Sequence, residues 1–218
     1  MEDFFDNKII KIIIIGNSGS GKTSFCNRWT KGSFSETYKA TIMTDFSEKI
    51  HKHNNKEYKI SLWDLAGQDK NIHTTKILTK NALCCLVFCD ITNIKSRNDT
   101  LKWKTSVDEN STFLNTTKKI PCFLIENKID LVDEETVKNI TELSEFSQNN
   151  HFSGFYRTSA KTGENVEFIM NSVIDYIINK LEECSKEGDK IEQRSSLFEL
   201  KSKGANIKNE KSSGEDCC

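Results

Sequence analysis

The run Ile9-Ile10-Lys11-Ile12-Ile13-Ile14-Ile15 stops at Gly16 and passes directly into Asn17-Ser18-Gly19-Ser20-Gly21-Lys22-Thr23. The run is β-branched throughout except at Lys11. It predicts a strand buried on both faces, as in a parallel sheet. Gly16 to Thr23 satisfies the pattern GxxxxGK[ST] completely, and Thr23 to Trp29 opens a helix. A strand, a glycine-rich turn and a helix in that order form a cradle for phosphate. The glycines admit backbone conformations closed to other residues, so several N–H groups can converge on one anion. The helix adds its positive N-terminal end. Lys22 supplies a formal charge for the β- and γ-phosphates, and the Thr23 hydroxyl suits Mg²⁺, a hard cation that prefers oxygen.

The rest of the chain repeats the alternation. Asp45–His53 and Glu57–Asp64 read as strands joined by Asn54-Asn55, a hairpin signal. Ala82–Asp90, Ile120–Glu126 and Phe155–Ser159 read as further strands. Val166, Ile169, Met170, Val173, Ile174, Ile177, Ile178 and Leu181 recur at helical steps, with Thr162 and Glu164 as the expected start. Val137, Ile140, Leu143 and Phe146 mark a shorter helix, and Leu101–Val107 part of another. The expected fold is α/β: a P-loop NTPase domain whose six-stranded, mostly parallel sheet has one antiparallel edge strand and helices on both faces. We expect a short N-terminal extension over 1–7, one domain over 8–183, and a flexible tail over 184–218, where Ser, Lys, Glu, Gly and Asn dominate. The tail's one apolar island is Leu197-Phe198-Glu199-Leu200.

The cradle alone does not separate ATPases, kinases and GTPases. Asn127-Lys128-Ile129-Asp130 follows a strand, at the carboxyl edge where open α/β sheets bind ligands. A carboxylate at Asp130 can accept from guanine N1–H and its exocyclic amine, a pair of donors that adenine lacks on that edge. Lys128 can lay its alkyl stem over the ring, and Asn127 can tie neighbouring loops together. In Ser159-Ala160-Lys161 a backbone N–H can meet guanine O6. Between cradle and base motif lies Trp63-Asp64-Leu65-Ala66-Gly67-Gln68. Asp64 can hold Mg²⁺ through water, the Gly67 N–H can approach the γ-phosphate, and Gln68 can orient the attacking water.

Composition excludes other classes. Net charge is -1 over 218 residues, whereas a general nucleic-acid binder carries a basic excess. No stretch approaches the ~20 apolar residues of a membrane span, and the acidic N-terminus is unlike a secretory signal. The expected compartment is therefore the cytosol, where thiols stay reduced. Cys84, Cys85, Cys89 and Cys122 lie in apolar runs and read as small core residues.

On these motifs the chain resembles the Ras superfamily of small GTPases, most of all the Rab family, over roughly residues 8–183. The likeness implies a GTP/GDP switch that hydrolyses GTP and recruits effectors to membranes in vesicle trafficking. It implies that Thr41, in the first switch loop, ligates Mg²⁺ and senses the γ-phosphate, that Phe34 makes an edge contact with guanine, and that Ser24 joins Gly16–Thr23 in binding nucleotide. Thr23, Thr41 and Asp64 are the implied metal set. Leu101-Lys102-Trp103-Lys104 and the long 108–119 connection are similar to the Rab subgroup of lysosome-related organelles.

The chain also departs from the family. Met43 stands where Rabs carry glycine, Gly67-Gln68-Asp69-Lys70-Asn71 replaces the usual second-switch sequence, and Leu78-Thr79 replaces a tyrosine pair. These changes bear on partner choice more than on nucleotide binding. The terminal Cys217-Cys218 resembles the Rab double-geranylgeranylation site. Two lipids anchor stably where one is marginal, and a flexible tail of about 35 residues spans about 30–35 Å. The implied partners are an exchange factor, a GTPase-activating protein, effectors, and a prenylation escort or GDP-dissociation inhibitor. A monomeric domain is expected on the cytoplasmic face of intracellular membranes, with a cytosolic pool. No arginine lies between Gly32 and Asp45 to act as an internal finger. Unassisted turnover should thus be slow, on the order of 10⁻⁴–10⁻³ s⁻¹ by analogy with Ras. The rival readings are a nucleotide-binding scaffold with little hydrolysis, tested by phosphate release, and an adenine-specific P-loop enzyme, tested by GTP-versus-ATP competition.

Overall fold

The structure is a computed structural model of the 218-residue chain and describes residues 9–37, 40–41, 44–67 and 78–186. Outside the described residues lie Tyr38, Lys39, Ile42, Met43, Gln68 to Asn71, Leu197 to Leu200, Cys217 and Cys218. The expected N-terminal extension over 1–7 also lies outside.

Six strands form one sheet in the order β2-β3-β1-β4-β5-β6. They are β1 (Ile9–Gly16), β2 (Thr44–His53), β3 (Lys56–Leu65), β4 (Cys84–Asp90), β5 (Cys122–Asn127) and β6 (Gly154–Thr158). Only β2 runs antiparallel, paired with β3 through the turn at Asn54 and Asn55, both left-handed (φ 48 and 61). The Asn-Asn signal therefore places the hairpin correctly: asparagine tolerates this region better than most residues. The sheet's other four pairings are parallel, matching the expected α/β architecture.

Ile12, Ile13, Ile14 and Ile15 are fully buried. Successive strand residues point to opposite faces, so both faces of β1 are covered. Helix α1 (Lys22–Lys31) packs on β1, β2 and β3, and α2 (Ile94–Asn110) on β1, β4 and β5. Cys84, Cys85, Cys89 and Cys122 are buried, filling space in β4 and β5.

The helix expected around Val137 to Phe146 is instead two. Helix α3 (Glu134–Lys138) ends at Asn139, and α4 (Thr141–Asn149) starts afresh. The Asn139 side chain accepts from Thr141 N–H at 3.3 Å, and Ile140 is half exposed. An asparagine bonding its local backbone competes with helix continuation, so an apolar spacing that looked continuous crosses a break. Helix α5 covers 166–186. It begins later than Thr162 and Glu164 suggest, because Asn165 is left-handed (φ 60). Val166, Ile169, Met170, Val173 and Ile174 of its stripe are buried.

The chain divides into two units at Ile174 and Asp175. The described part of the second is 175–186, where Ser185 Oγ donates to the Leu181 carbonyl at 3.1 Å. Among the described residues, no helix is long and apolar enough to cross a membrane.

Candidate nucleotide site

Gly16 closes β1 at φ +134, and a Cβ there would lie 2.2 Å from the Phe88 carbonyl oxygen. Gly21 sits at φ +90, and its Cβ would lie 2.1 Å from Asn127 Nδ2. The first of these glycines admits the neighbouring strand and the second admits the base motif. Gly21 caps α1 with no side-chain hydrogen bond, and no acidic residue occupies the first turn. The amide groups and positive end of α1 are therefore directed at the loop without a competing carboxylate.

Lys22 is 5% exposed, and its Nζ donates to the carbonyls of Gly16 (2.8 Å) and Asn17 (2.9 Å). Burial lowers its pKa to about 8, against the opposing pull of the Asp64 carboxylate. Beside it, Thr23 Oγ1 lies 2.9 Å from Thr41 Oγ1 and donates to Asp64 Oδ2. Asp64 is buried at the end of β3 and its Oδ1 has no hydrogen-bond partner. Burial raises its pKa to about 6, with the Thr23 hydroxyl and Lys22 opposing the rise. Gly67 abuts the cradle backbone: its carbonyl accepts from Ser18 N–H at 2.8 Å, and a Cβ would lie 2.4 Å from Ser18 N. The contact made is thus through the Gly67 carbonyl.

The base motif lies at the ends of β5 and β6. Asn127 Nδ2 donates to the Ser20 carbonyl at 2.9 Å, and its Oδ1 accepts from Ala160 N–H at 3.1 Å. The expected tie between loops is therefore present. Lys128 takes a left-handed backbone (φ 70) and its Nζ pairs with Asp90 Oδ2 at 2.6 Å. Asp130 is exposed, and Oδ1 accepts from the buried Ser159 hydroxyl at 2.5 Å.

A cavity of about 640 Å³ joins the two ends. Ser18, Gly19, Gly21 to Ser24, Phe34, Thr41, Gly67, Asn127, Lys128, Asp130, Ala160 and Lys161 are among the residues that line it. Gly16, Asn17, Ser20, Asp64 and Ser159 are not part of this lining. The size suits a small-molecule ligand.

Sequence reasoning missed three supports. Arg28 of α1 donates from Nε to the Ala160 carbonyl (3.0 Å) and from Nη2 to that of Lys161 (2.5 Å), holding the second loop from outside. Asp99 and Trp103 of α2 hold Asn17: its Nδ2 donates to Asp99 Oδ2 and its Oδ1 accepts from Trp103 Nε1, both at 2.9 Å. None of these contacts has a local signal, because each partner lies far along the chain.

A phosphate cradle after β1, joined by one cavity to a base motif after β5, defines a P-loop nucleotide-binding domain. The Ras family model matches residues 11–179, and the chain belongs to the Ras family. Ras-related protein Rab-32A of Dictyostelium discoideum is 32% identical over 178 residues, 81% of each chain. Ras-related protein Rab-7L1 of Mus musculus is 29% identical over 213 residues, 96% of this chain and 97% of its own. Ras-related protein Rab-32 of Homo sapiens is 30% identical over 171 residues, 78% of this chain and 75% of its own. The chain is thus a Rab-like small GTPase, as its motifs implied, a GTP-hydrolysing switch of the kind that serves vesicle trafficking. The reading as a non-hydrolysing scaffold is not favoured.

Proposed function

We propose that Gly16 to Ser24 grip the phosphates, that Phe34, Asn127, Lys128, Asp130 and Ser159 to Lys161 hold guanine, and that Thr23, Thr41 and Asp64 hold Mg²⁺. The observation carrying this reading is the meeting of three side-chain oxygens: Thr23 and Thr41 line the cavity with Lys22, and the Thr23 hydroxyl bonds the buried Asp64 carboxylate. They are hard oxygen donors, and Asp64 keeps a buried oxygen without a protein partner; both features fit a small divalent cation. When bound, Mg²⁺ neutralises charge on the β- and γ-phosphates. Lys22 adds a positive charge against the same oxygens. Thr41 and Gly67 bring the two switch loops to the γ-phosphate, so hydrolysis releases both. Gln68, next in sequence to Gly67, orients the attacking water. An activating protein supplies the missing cationic group.

The carboxyl end carries the membrane function. Lipids on Cys217 and Cys218 anchor the chain to the cytoplasmic face of intracellular membranes, where domain 8–183 recruits effectors. An exchange factor and an escort or dissociation inhibitor complete the cycle.

The deciding experiment is calorimetry with GDP and ADP on the full chain, with Mg²⁺ present and removed. GDP binds far more tightly, and chelation weakens it; equal affinity for the two nucleotides overturns the site. Thr23→Asn biases the protein to GDP, which normal GTP loading would contradict. Gln68→Leu slows single-turnover hydrolysis and spares binding.

A further inference from the structure

Glu126 is fully buried on β5, immediately before Asn127, and nothing in the reading above uses it. Both of its carboxylate oxygens are taken by arginines. Oε1 accepts from Arg97 Nη2 (2.7 Å) and Nε (3.0 Å), and Oε2 accepts from Arg157 Nε (2.7 Å). Arg97 lies in the first turn of α2, and Arg157 lies on β6 directly opposite Glu126 in register. Arg157 Nη1 reaches further, to the carbonyls of Thr136 (2.8 Å), Val137 (2.7 Å) and Asn139 (2.9 Å) at the end of α3. Arg97 Nη1 also touches the exposed Glu142 at 3.5 Å.

A carboxylate in the middle of a parallel sheet is costly. Replacing such a buried ionic group with apolar residues of similar volume is often neutral or stabilising. Stability alone therefore does not account for it. Its position suggests another role, because the elements it joins are those whose ends meet the base. Beyond Arg97, the start of α2 follows the 90–93 turn, which receives Lys128 through Asp90 and the Asn127 carbonyl through Ile91 N–H (3.0 Å). Beyond Arg157, β6 runs into Ser159, the residue that donates to Asp130. Beyond Glu126 itself comes Asn127, which spans the cradle and the last loop.

We infer that Glu126, clamped between Arg97 and Arg157, is a positioning residue for guanine recognition: it fixes the ends of β5 and β6 so that Asp130 presents its carboxylate to the purine's N1–H and 2-amine. The arginines act on the base only through the strand ends they hold. This inference rests on the assignment of Asp130 to the purine.

The test compares GDP with inosine diphosphate, which lacks the 2-amine, on the full chain. The ratio of the two affinities reads how well the second hydrogen bond to Asp130 is aimed. Two variants are measured: Glu126→Gln, which keeps the shape and removes the charge, and the apolar triple R97M/E126L/R157M, which removes the clamp without leaving a buried charge unpaired. A thermal melt accompanies each. The expected result is a GDP-to-inosine-diphosphate ratio at least threefold smaller than wild type in the triple variant, even where its melting temperature matches or exceeds wild type. Glu126→Gln, where it folds, shifts the ratio the same way. A lowered melting temperature with an unchanged ratio makes the clamp a plain structural tie and overturns the inference. If wild type itself does not prefer GDP to ADP, the site assignment fails and takes the inference with it. A guanine-selective wild type with unchanged ratios in both variants overturns the inference alone.

Discussion

The two ends of the nucleotide cavity satisfy their polar groups differently. Among the described residues, the buried side-chain oxygens without a hydrogen-bond partner are those of Ser20, Asp64 and Ser111, and the first two belong to the phosphate end. There Lys22 is solvated by carbonyls of its own loop, and burial disfavours the charged forms of both Lys22 and Asp64. At the base end the pairings are closed: Lys128 with Asp90, Asp130 with Ser159, and Asn127 with Ser20 and Ala160. The base end is therefore a template held in shape by the protein. The phosphate end carries unfavourable electrostatics, which, on the proposed assignment, a triphosphate with its cation would relieve. Binding free energy drawn from that relief is sensitive to the γ-phosphate, which suits a switch. On the same assignment, the base end would supply a selectivity that stays constant through the cycle.

The sharpest way to break this contrast is Lys22→Ala. It removes the charge facing the phosphates, and the expected loss of GDP affinity is at least about a hundredfold, since hydrogen bonds to charged groups are worth about 1.5–3 kcal/mol each. A thermal melt of the nucleotide-free variant beside wild type separates the lost phosphate contact from the cost of leaving the Gly16 and Asn17 carbonyls and Asp64 without their cationic partner.

The converse variant, Asp130→Asn, probes the template. An amide presents a donor to guanine's 2-amine, so GDP affinity should fall by about tenfold to a hundredfold, the cost of losing one hydrogen bond and facing donor with donor. Xanthine diphosphate, which has a carbonyl at that position, should gain affinity, because the amide donates where the carboxylate repelled. Competition binding reads both values. Equal losses for the two nucleotides would mean that position 130 matters only through Ser159.

The join between the ends is testable at Gly21. With φ +90 and Asn127 Nδ2 at 2.1 Å from its would-be Cβ, Gly21→Ala forces apart a contact that links cradle to base motif. We expect a loss of about 1–3 kcal/mol in stability, from backbone strain and a displaced buried amide. Chemical denaturation measures it. An unchanged midpoint would mean that the two ends are independent.

These two ends were also unequally legible in the sequence. The cradle was almost wholly readable, because its glycines, Lys22 and Thr23 are consecutive and each answers to local geometry. The strands were readable from β-branched runs, and the hairpin from Asn54-Asn55. At the base end, the ligand-facing residues were readable as a motif but their supports were not. Glu126 read only as the last residue of an apolar strand, and nothing in the sequence singled out Arg97, Arg157, Asp99 or Trp103 as its supports or those of Asn17. Their partners lie 29 to 86 residues away, so no window of sequence contains both members of a pair. The break at Asn139 was hidden for a related reason: apolar spacing reports which face is buried, and it does not register a local hydrogen bond that ends a helix.

The smallest expected effect concerns acid. Burial pulls the Asp90 carboxyl upward, but hydrogen bonds from Lys128 and Thr92 outweigh it and hold its pKa below the usual value. A carboxyl depressed in the folded state stabilises the protein above its unfolded pKa, about 4, and that stabilisation fades as pH falls toward the folded value. The pair is partly open to water, so the contribution is small, of the order found for exposed ion pairs, below about 1 kcal/mol. Asp90→Asn should therefore flatten the acid limb of the stability curve below about pH 4 and leave the curve near neutrality shifted only slightly. The measurement is urea denaturation across that range, for wild type and variant. If the two curves stay parallel down to the lowest pH, Lys128 is held at the base end by its backbone alone, and the template is less dependent on charge than the Asp90 contact implies.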